Sequence, residues 1–344
     1  MRSLRCEAKA CIAAAFIASS AAGAIGHAAA ETNEIRVSGV FGLSNLPVYV
    51  AVERHLIEAR AQAVGLPDVK VTLIRVSGGA AAADLLLSGN ADIASAGATN
   101  LMVLWDKTLN LKQGQVRGIM ALCDSPISLI SVDPRIRTLR DFTDNDRIAV
   151  TSIRVSVQAI VLGMAAAKEF GWDQRTKLDP LTVAMPHEDG MAMLLSGGGV
   201  VRTQAAQLPF SVEEMDSGKA HLLLTSNEVM DGRSTLGVAL TTAKFRAENP
   251  TVYASIVAGL HDALDFINQD KHEAAAIYVK YEPQKKGIEW VYGILQHEDL
   301  IKFSSVPHGT EKFTTFMFKS GLLRNHPQSW KDLYWESGSD VAGN

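Results

Sequence analysis

The side chains of this sequence best placed to do chemistry are two arginines, one histidine and a scatter of small polar residues. Arg154 stands in TSIRVSVQ, where a strand pattern gives way to a helical one. A guanidinium there can fork onto a sulfonate, carboxylate or nitrate, and a helix N-terminus adds roughly 0.3 to 1 kcal/mol for an anion. A solvated or lobe-locking arginine is the alternative. Arg202 falls inside GVVRTQ, where pairing with an acid is expected. Ser44, Asn45, Ser77, Gly78, Gly79, Thr99 and Asn100 sit at strand-to-helix turns of the first half. Ser152, Ser156, His187, Gln204 and Gln207 are their counterparts in the second half. Ser, Thr and Asn at such turns commonly cap helices, and glycines let the backbone approach an anion closely. One turn can serve both uses. Glu188 and Asp189 complement a helix N-terminus by charge. His187 can face a ligand or lie on the surface.

No catalytic pattern accompanies these residues. H-E-x-x-H, G-x-S-x-G, G-x-G-x-x-G and the P-loop signature are absent. The histidines are scattered without metal spacing. Cys123, in the apolar run VRGIMALCD, reads as a buried structural thiol. A binding protein without catalytic residues, metal or cofactor is therefore expected.

The elements that must position the polar turns come as a repeat. LLSG occurs at 86–89 and again at 194–197. Extended outward, the first copy reads as a strand (IRVSGV), a helix opened by Pro47 and ending at Gly65, a strand (VKVTLIRV), a helix stopped at Gly89 and a strand (ADIASA). The second reads as RIAVTS, a helix stopped at Gly171, the strand KLDPLTVA, a helix stopped at Gly197 and the strand GVVRTQAA. Each half is a β-α-β-α-β unit, which implies parallel strands with right-handed crossovers. In such sheets ligands sit beyond the carboxyl ends of the strands, where the two copies differ. The shared letters build the fold; the differing ones line a site.

ISLISVDP (127–134) and STLGVALTT (234–242) carry the chain into the second lobe and back, and form a natural hinge. Lobe one is expected from 31–127 plus 234–344 and lobe two from 128–233. From 243 onward the pattern is helical, with apolar residues at helical spacing.

Residues 1–30 read as a secretory leader: Arg2, Arg5 and Lys9, then an Ala-rich apolar stretch, then Ala28-x-Ala30, with cleavage after Ala30. The apolar stretch is short of the roughly 18 to 20 residues that span a bilayer. Cys6 and Cys11 leave with this segment, so no internal disulfide is expected. The remaining 314 residues carry 30 basic against 36 acidic side chains, a formal charge of −6. That excess disfavours nucleic acid or an anionic membrane as a partner. An aromatic content of 6% disfavours an aromatic cage for cations.

PVYVAVERHLIE, LLLSGNADIASAGATN, RIAVTSIRVSVQAIVLGMAAAKEFG, ENPTVYASIVAGLHDALDFINQD and FTTFMFKSGLLRNHPQSWKDLYW together resemble the solute-binding proteins of nitrate/sulfonate/taurine-type ABC importers, the SsuA/THI5-like or NMT1-like group. Many members carry an acid after the second Ser-Gly and a Trp-x-Pro-type segment; GGGVVRTQAAQLPF lacks both the acid and the Trp. The resemblance implies a two-lobed α/β type II periplasmic-binding-protein fold, each lobe a mostly parallel sheet flanked by helices. It also implies a monomer in the periplasm that captures a small, anionic solute and hands it to a membrane permease and its ATPase. A sensory binding protein is an alternative. The pyrimidine-synthesis enzymes of this fold carry a cysteine-rich motif that Cys123 alone does not supply.

Overall fold

The computed structural model describes residues 30–344; the expected leader, with Cys6 and Cys11, lies outside them. The chain opens with β1 (Glu34–Val40), α1 (Leu46–Glu53), α2 (Leu56–Ala63), β2 (Lys70–Val76), α3 (Gly79–Leu87), β3 (Ile93–Gly97), α4 (Ala98–Thr108) and β4 (Val116–Asp124). There follow β5 (Ser128–Ser131), β6 (Arg147–Val150), α5 (Val157–Phe170), β7 (Thr182–Ala184), α6 (His187–Ser196), β8 (Val201–Ala206), α7 (Phe210–Asp216), β9 (His221–Thr225) and α8 (Ser226–Met230). The return brings β10 (Thr235–Thr242), α9 (Ala243–Glu248), α10 (Pro250–Gln269), α11 (Lys271–Tyr281), α12 (Gly287–Leu295), β11 (Lys302–Phe303), α13 (Thr310–Lys319) and α14 (Glu336–Ser339).

Two sheets result, ordered β2-β1-β3-β10-β4-β11 and β7-β6-β8-β5-β9. The repeated letters map onto equivalent places. β1 pairs in parallel with β2 and β3, and β6 pairs in parallel with β7 and β8. Gly89 and Gly197 both take left-handed φ, 72° and 74°, which lets the chain turn off α3 and α6 into the next strand. The fourth strand of each sheet is antiparallel: β10 against β3, β5 against β8. β10 and β4 are buried almost throughout, as strands covered on both faces must be. The chain leaves the first sheet after Asp124 and joins the second at Ser128; it returns at Thr235.

Three local readings of the sequence differ from the structure. The helix expected from Pro47 to Gly65 is broken at His55, which takes a left-handed φ of 53°. The break turns α2 onto α10, where Arg60 grips Asp262 through Nε (2.6 Å) and Nη2 (2.5 Å). KLDPLTVA is a strand only over Thr182–Ala184; a 3-10 turn containing Pro180 occupies Asp179–Leu181. The helical run from 243 breaks between α9 and α10 at Asn249–Pro250, because proline supplies no N–H and restricts the residue before it.

α10 buries the stripe Val252, Ile256, Gly259, Leu260, Ala263 and Ile267. Gly259 faces Ile57 so closely that a Cβ would lie 2.8 Å from the Ile57 backbone N and Cα. Gly259→Ala is therefore expected to cost about 1 to 3 kcal/mol through overpacking, read as a lower urea midpoint at unchanged slope.

Candidate ligand cleft

Three turns from each sheet meet over a cavity whose empty space, counted together with its opening to solvent, is about 480 Å³. The first sheet contributes Phe41 and Ser44 after β1, Ser77, Gly78 and Gly79 after β2, and Gly97 and Asn100 after β3. The second contributes Thr151 and Ser156 after β6, His187 and Glu188 after β7, and Gln207 after β8. All lie at the carboxyl ends of parallel strands, where helix N-termini point inward.

Those N-termini are the cavity's main source of positive potential. α3, α4, α5 and α6 all begin at its wall. α3, α4 and α6 have no side-chain cap; only α5 is capped, by Ser156, whose Oγ accepts from Ala159 N at 3.3 Å. First-turn N–H groups have no partner within their helix. Three helices thus start here without the usual side-chain acceptor, and the dipoles favour an anion. No Lys or Arg lines the cavity among the described residues, and Glu188 is its one carboxylate.

His187 is buried within the second sheet's wall. Gln158 Nε2 lies 3.1 Å from its Nε2, and Gln204 Nε2 lies 3.4 Å from its Nδ1 and 3.2 Å from its carbonyl oxygen. Phe210 stacks on the ring at 5.3 Å. Burial pushes the imidazole down to about 4, so it is neutral at pH 7 and serves as a hydrogen-bonding group, not a charge. Thr151 Oγ1 bonds Gln158 Oε1 at 3.0 Å, which continues the chain of contacts into the β6 turn.

The two sheets are tied across the cleft. Gln207 Nε2 donates to Phe41 O (2.8 Å), Leu43 N to Leu208 O (3.1 Å) and Thr99 Oγ1 to Val155 O (2.8 Å). Farther out, Asp216 accepts from Lys286 Nζ (2.6 Å) and Trp290 Nε1 (2.9 Å).

Of the residues singled out from the sequence, Ser44, Ser77, Gly78, Gly79, Asn100, Ser156, His187 and Gln207 line the cavity. Thr99 lies beside it and spends its hydroxyl on the tie to Val155. Gln204 stands one layer back, holding His187, with Gly190 leaving it room. Asn45 is fully buried against Gly39. Ser152 contributes its carbonyl oxygen to Ser156 Oγ (2.7 Å). Arg154 is the main correction. Its left-handed φ of 68° turns it out of the cleft, into a second cavity with Arg175, Asp179 and Phe316. Arg202 lies 3.6 Å from Asp133, paired with an acid.

Phe41, Thr151 and Gln158 line the cavity as well, and the sequence reading did not single them out. Gln158 is the single polar residue in the first turns of VQAIVLGMAAA, two places after the capping serine, and that isolation was the available signal.

No family model matches this chain, and no curated protein matches it. Solved structures do. The alkanesulfonate-binding protein SsuA from Xanthomonas axonopodis pv. citri, bound to MOPS, aligns over 89% of this chain and 99% of its own, with TM-score 0.68 and 17% identity. The periplasmic aliphatic sulphonate binding protein SsuA from Escherichia coli covers 89% of this chain and 93% of its own, at TM-score 0.65 and 13% identity. The periplasmic nitrate-binding protein NrtA from Synechocystis PCC 6803 covers 86% of this chain and 83% of its own, at TM-score 0.68 and 13% identity. The chain has the two-lobed α/β fold of the periplasmic binding proteins.

Proposed function

We propose that this protein is the solute-binding component of an ABC importer, exported to the periplasm, working as a monomer and delivering its ligand to a permease and ATPase. The two lobes, 31–127 with 234–344 and 128–233, close on the solute about the crossings near 127–134 and 234–242. The carrying observation is the convergence of four helix N-termini, three without a side-chain cap, on one cavity between two sheets.

The guest that suits this lining is a small solute with one singly charged oxyanion, a sulfonate or carboxylate, held by backbone N–H groups and by the amides of Asn100, Gln158 and Gln207. Arginine has no part in that reading of the cleft. Glu188 favours a second version, in which the guest carries an amine opposite the oxyanion. A sensory role would use the same closed form.

A thermal-shift screen of the purified protein against ethanesulfonate, taurine, acetate, nitrate and bicarbonate tests this. A ligand at 100 times its Kd stabilises by about 2.7 kcal/mol, which moves the melting point by several degrees. Gly79→Ala should remove most of that shift, because its Cβ would sit 2.4 Å from Asn100 Oδ1 and drive that side chain into the cavity. Glu188→Gln separates the two versions: it weakens taurine and leaves ethanesulfonate unchanged or tighter if the amine is recognised. A shift by cations alone would sink the oxyanion reading.

A further inference from the structure

The cavity that holds Arg154 is a second concave site, independent of the cleft reading. Its empty space, counted together with its opening to solvent, is about 350 Å³, and it shares no lining residue with the first. Its walls come from three places: the turn before α5 with the α5 face itself, the 175–179 segment, and α13 with the turn that follows. Ile160, Phe316 and Leu322 supply an apolar floor. Gly163 lets Phe316 approach, since a Cβ there would lie 3.1 Å from the Phe316 ring.

Arg154 and Arg175 both line this cavity, with one acid, Asp179. Arg175 is already oriented. Its Nη1 donates to Trp172 O at 3.2 Å, and its guanidinium lies 4.9 Å from the Trp172 ring centre. Its Nε is buried yet has no hydrogen-bond partner among the described residues. Neither arginine forms a salt bridge with Asp179, so both remain available, and the local balance is one net positive charge. Burial raises the Asp179 carboxyl while the two guanidiniums pull it back.

We propose that this cavity is an accessory anion site for a small monocarboxylate with an apolar body. One carboxylate oxygen meets the Arg175 guanidinium, the other meets the Arg154 guanidinium, and the body packs on Ile160, Phe316 and Leu322. A single surplus charge and an apolar floor fit a monoanion better than a doubly charged, fully hydrated phosphate or sulfate. The left-handed turn at Arg154 then has a use, because it brings the second guanidinium to the cavity mouth.

Benzoate is the probe, titrated calorimetrically into the full chain at low salt, with sulfate as comparison. Benzoate is expected to bind and sulfate to bind more weakly. Arg175→Gln should weaken benzoate roughly 10- to 100-fold, the value of a charge-assisted contact. Asp179→Asn should tighten it about threefold or more by removing the competing carboxylate. That gain cannot arise from misfolding, so it keeps the test decisive if Arg175→Gln proves unstable. No benzoate binding up to about 10 mM, or equal affinity in the wild type and Asp179→Asn, overturns the proposal. Sulfate binding more tightly than benzoate overturns the ligand class.

Discussion

Glu282→Ala is expected to lower the stability of this protein by about 3 to 5 kcal/mol and to weaken ligand capture with it. The Glu282 carboxylate ends α11 and is 6% exposed. It accepts from Gly42 N at 2.8 Å, Tyr49 Oη at 2.6 Å and Tyr278 Oη at 2.8 Å. Burial raises its pKa above the ordinary glutamate range, and these three donors hold it down. Removing the acceptor strands all three donors in the interior, each at roughly 1 to 3 kcal/mol before relaxation. Glu282→Gln retains one acceptor oxygen and should cost less than half as much. The effect reaches the cleft because Gly42 lies between Phe41, whose carbonyl oxygen accepts from Gln207, and Leu43, which donates to Leu208. Urea unfolding reads the stability loss. Calorimetry with whichever solute the thermal screen identifies reads the affinity, expected to fall about tenfold, the loss of one such tie. Unchanged stability would mean that the Tyr49 and Tyr278 hydroxyls find other acceptors.

Glu214→Leu is expected to act in the opposite direction. Glu214 lies on α7, is 0% exposed, and neither carboxylate oxygen has a hydrogen-bond partner among the described residues. Burial pushes its pKa up to about 9, with Glu213 adding to the rise. The folded state therefore keeps a proton that the unfolded chain releases near pH 4.5, so stability falls as pH rises from there and levels off above pH 9. Each unit of that separation is worth about 1.4 kcal/mol. With an allowance for imperfect fit, leucine should gain about 2 to 4 kcal/mol at pH 8. The gain should shrink to about 1 kcal/mol or less at pH 4, where glutamate is protonated in both states. Unfolding curves of both proteins at pH 4, 6 and 8 decide it. A gain independent of pH would assign the effect to packing rather than ionisation.

The repeat made the β-α-β-α-β succession of both halves, with its parallel pairing, legible in the sequence. The glycines after α3 and α6 both take the left-handed conformation that a helix stop asks for. What escaped was set by geometry that residue type does not carry. Arg154 is two residues from Ser156, which lines the cleft, yet one left-handed φ points it into another cavity. The break at His55 is equally silent, because nothing in ERHLIE forbids a continuous helix; the packing of α2 on α10 decides it. The polar turns of the first lobe were expected to include caps, but α3 and α4 begin without one. Gln158 carried only a weak mark, its isolation as the single polar side chain in the first turns of an apolar helix.

The placement of β10 has a consequence for how a nascent chain can fold. β10 fills the slot between β3 and β4, pairing with both, and it arrives only after every strand of the second sheet. Until residue 242 has emerged, β3 lacks its outer neighbour and β4 lacks both of the strands it pairs with. The second sheet is complete at Thr225. The lobe begun second is thus the first that can close, and the lobe begun first waits unfinished, with exposed edges of the kind that aggregate. A chain that stalls or is cut before Thr235 would keep a finished half and an unfinished one, which makes the unfinished half the natural point of attack for a chaperone or a protease.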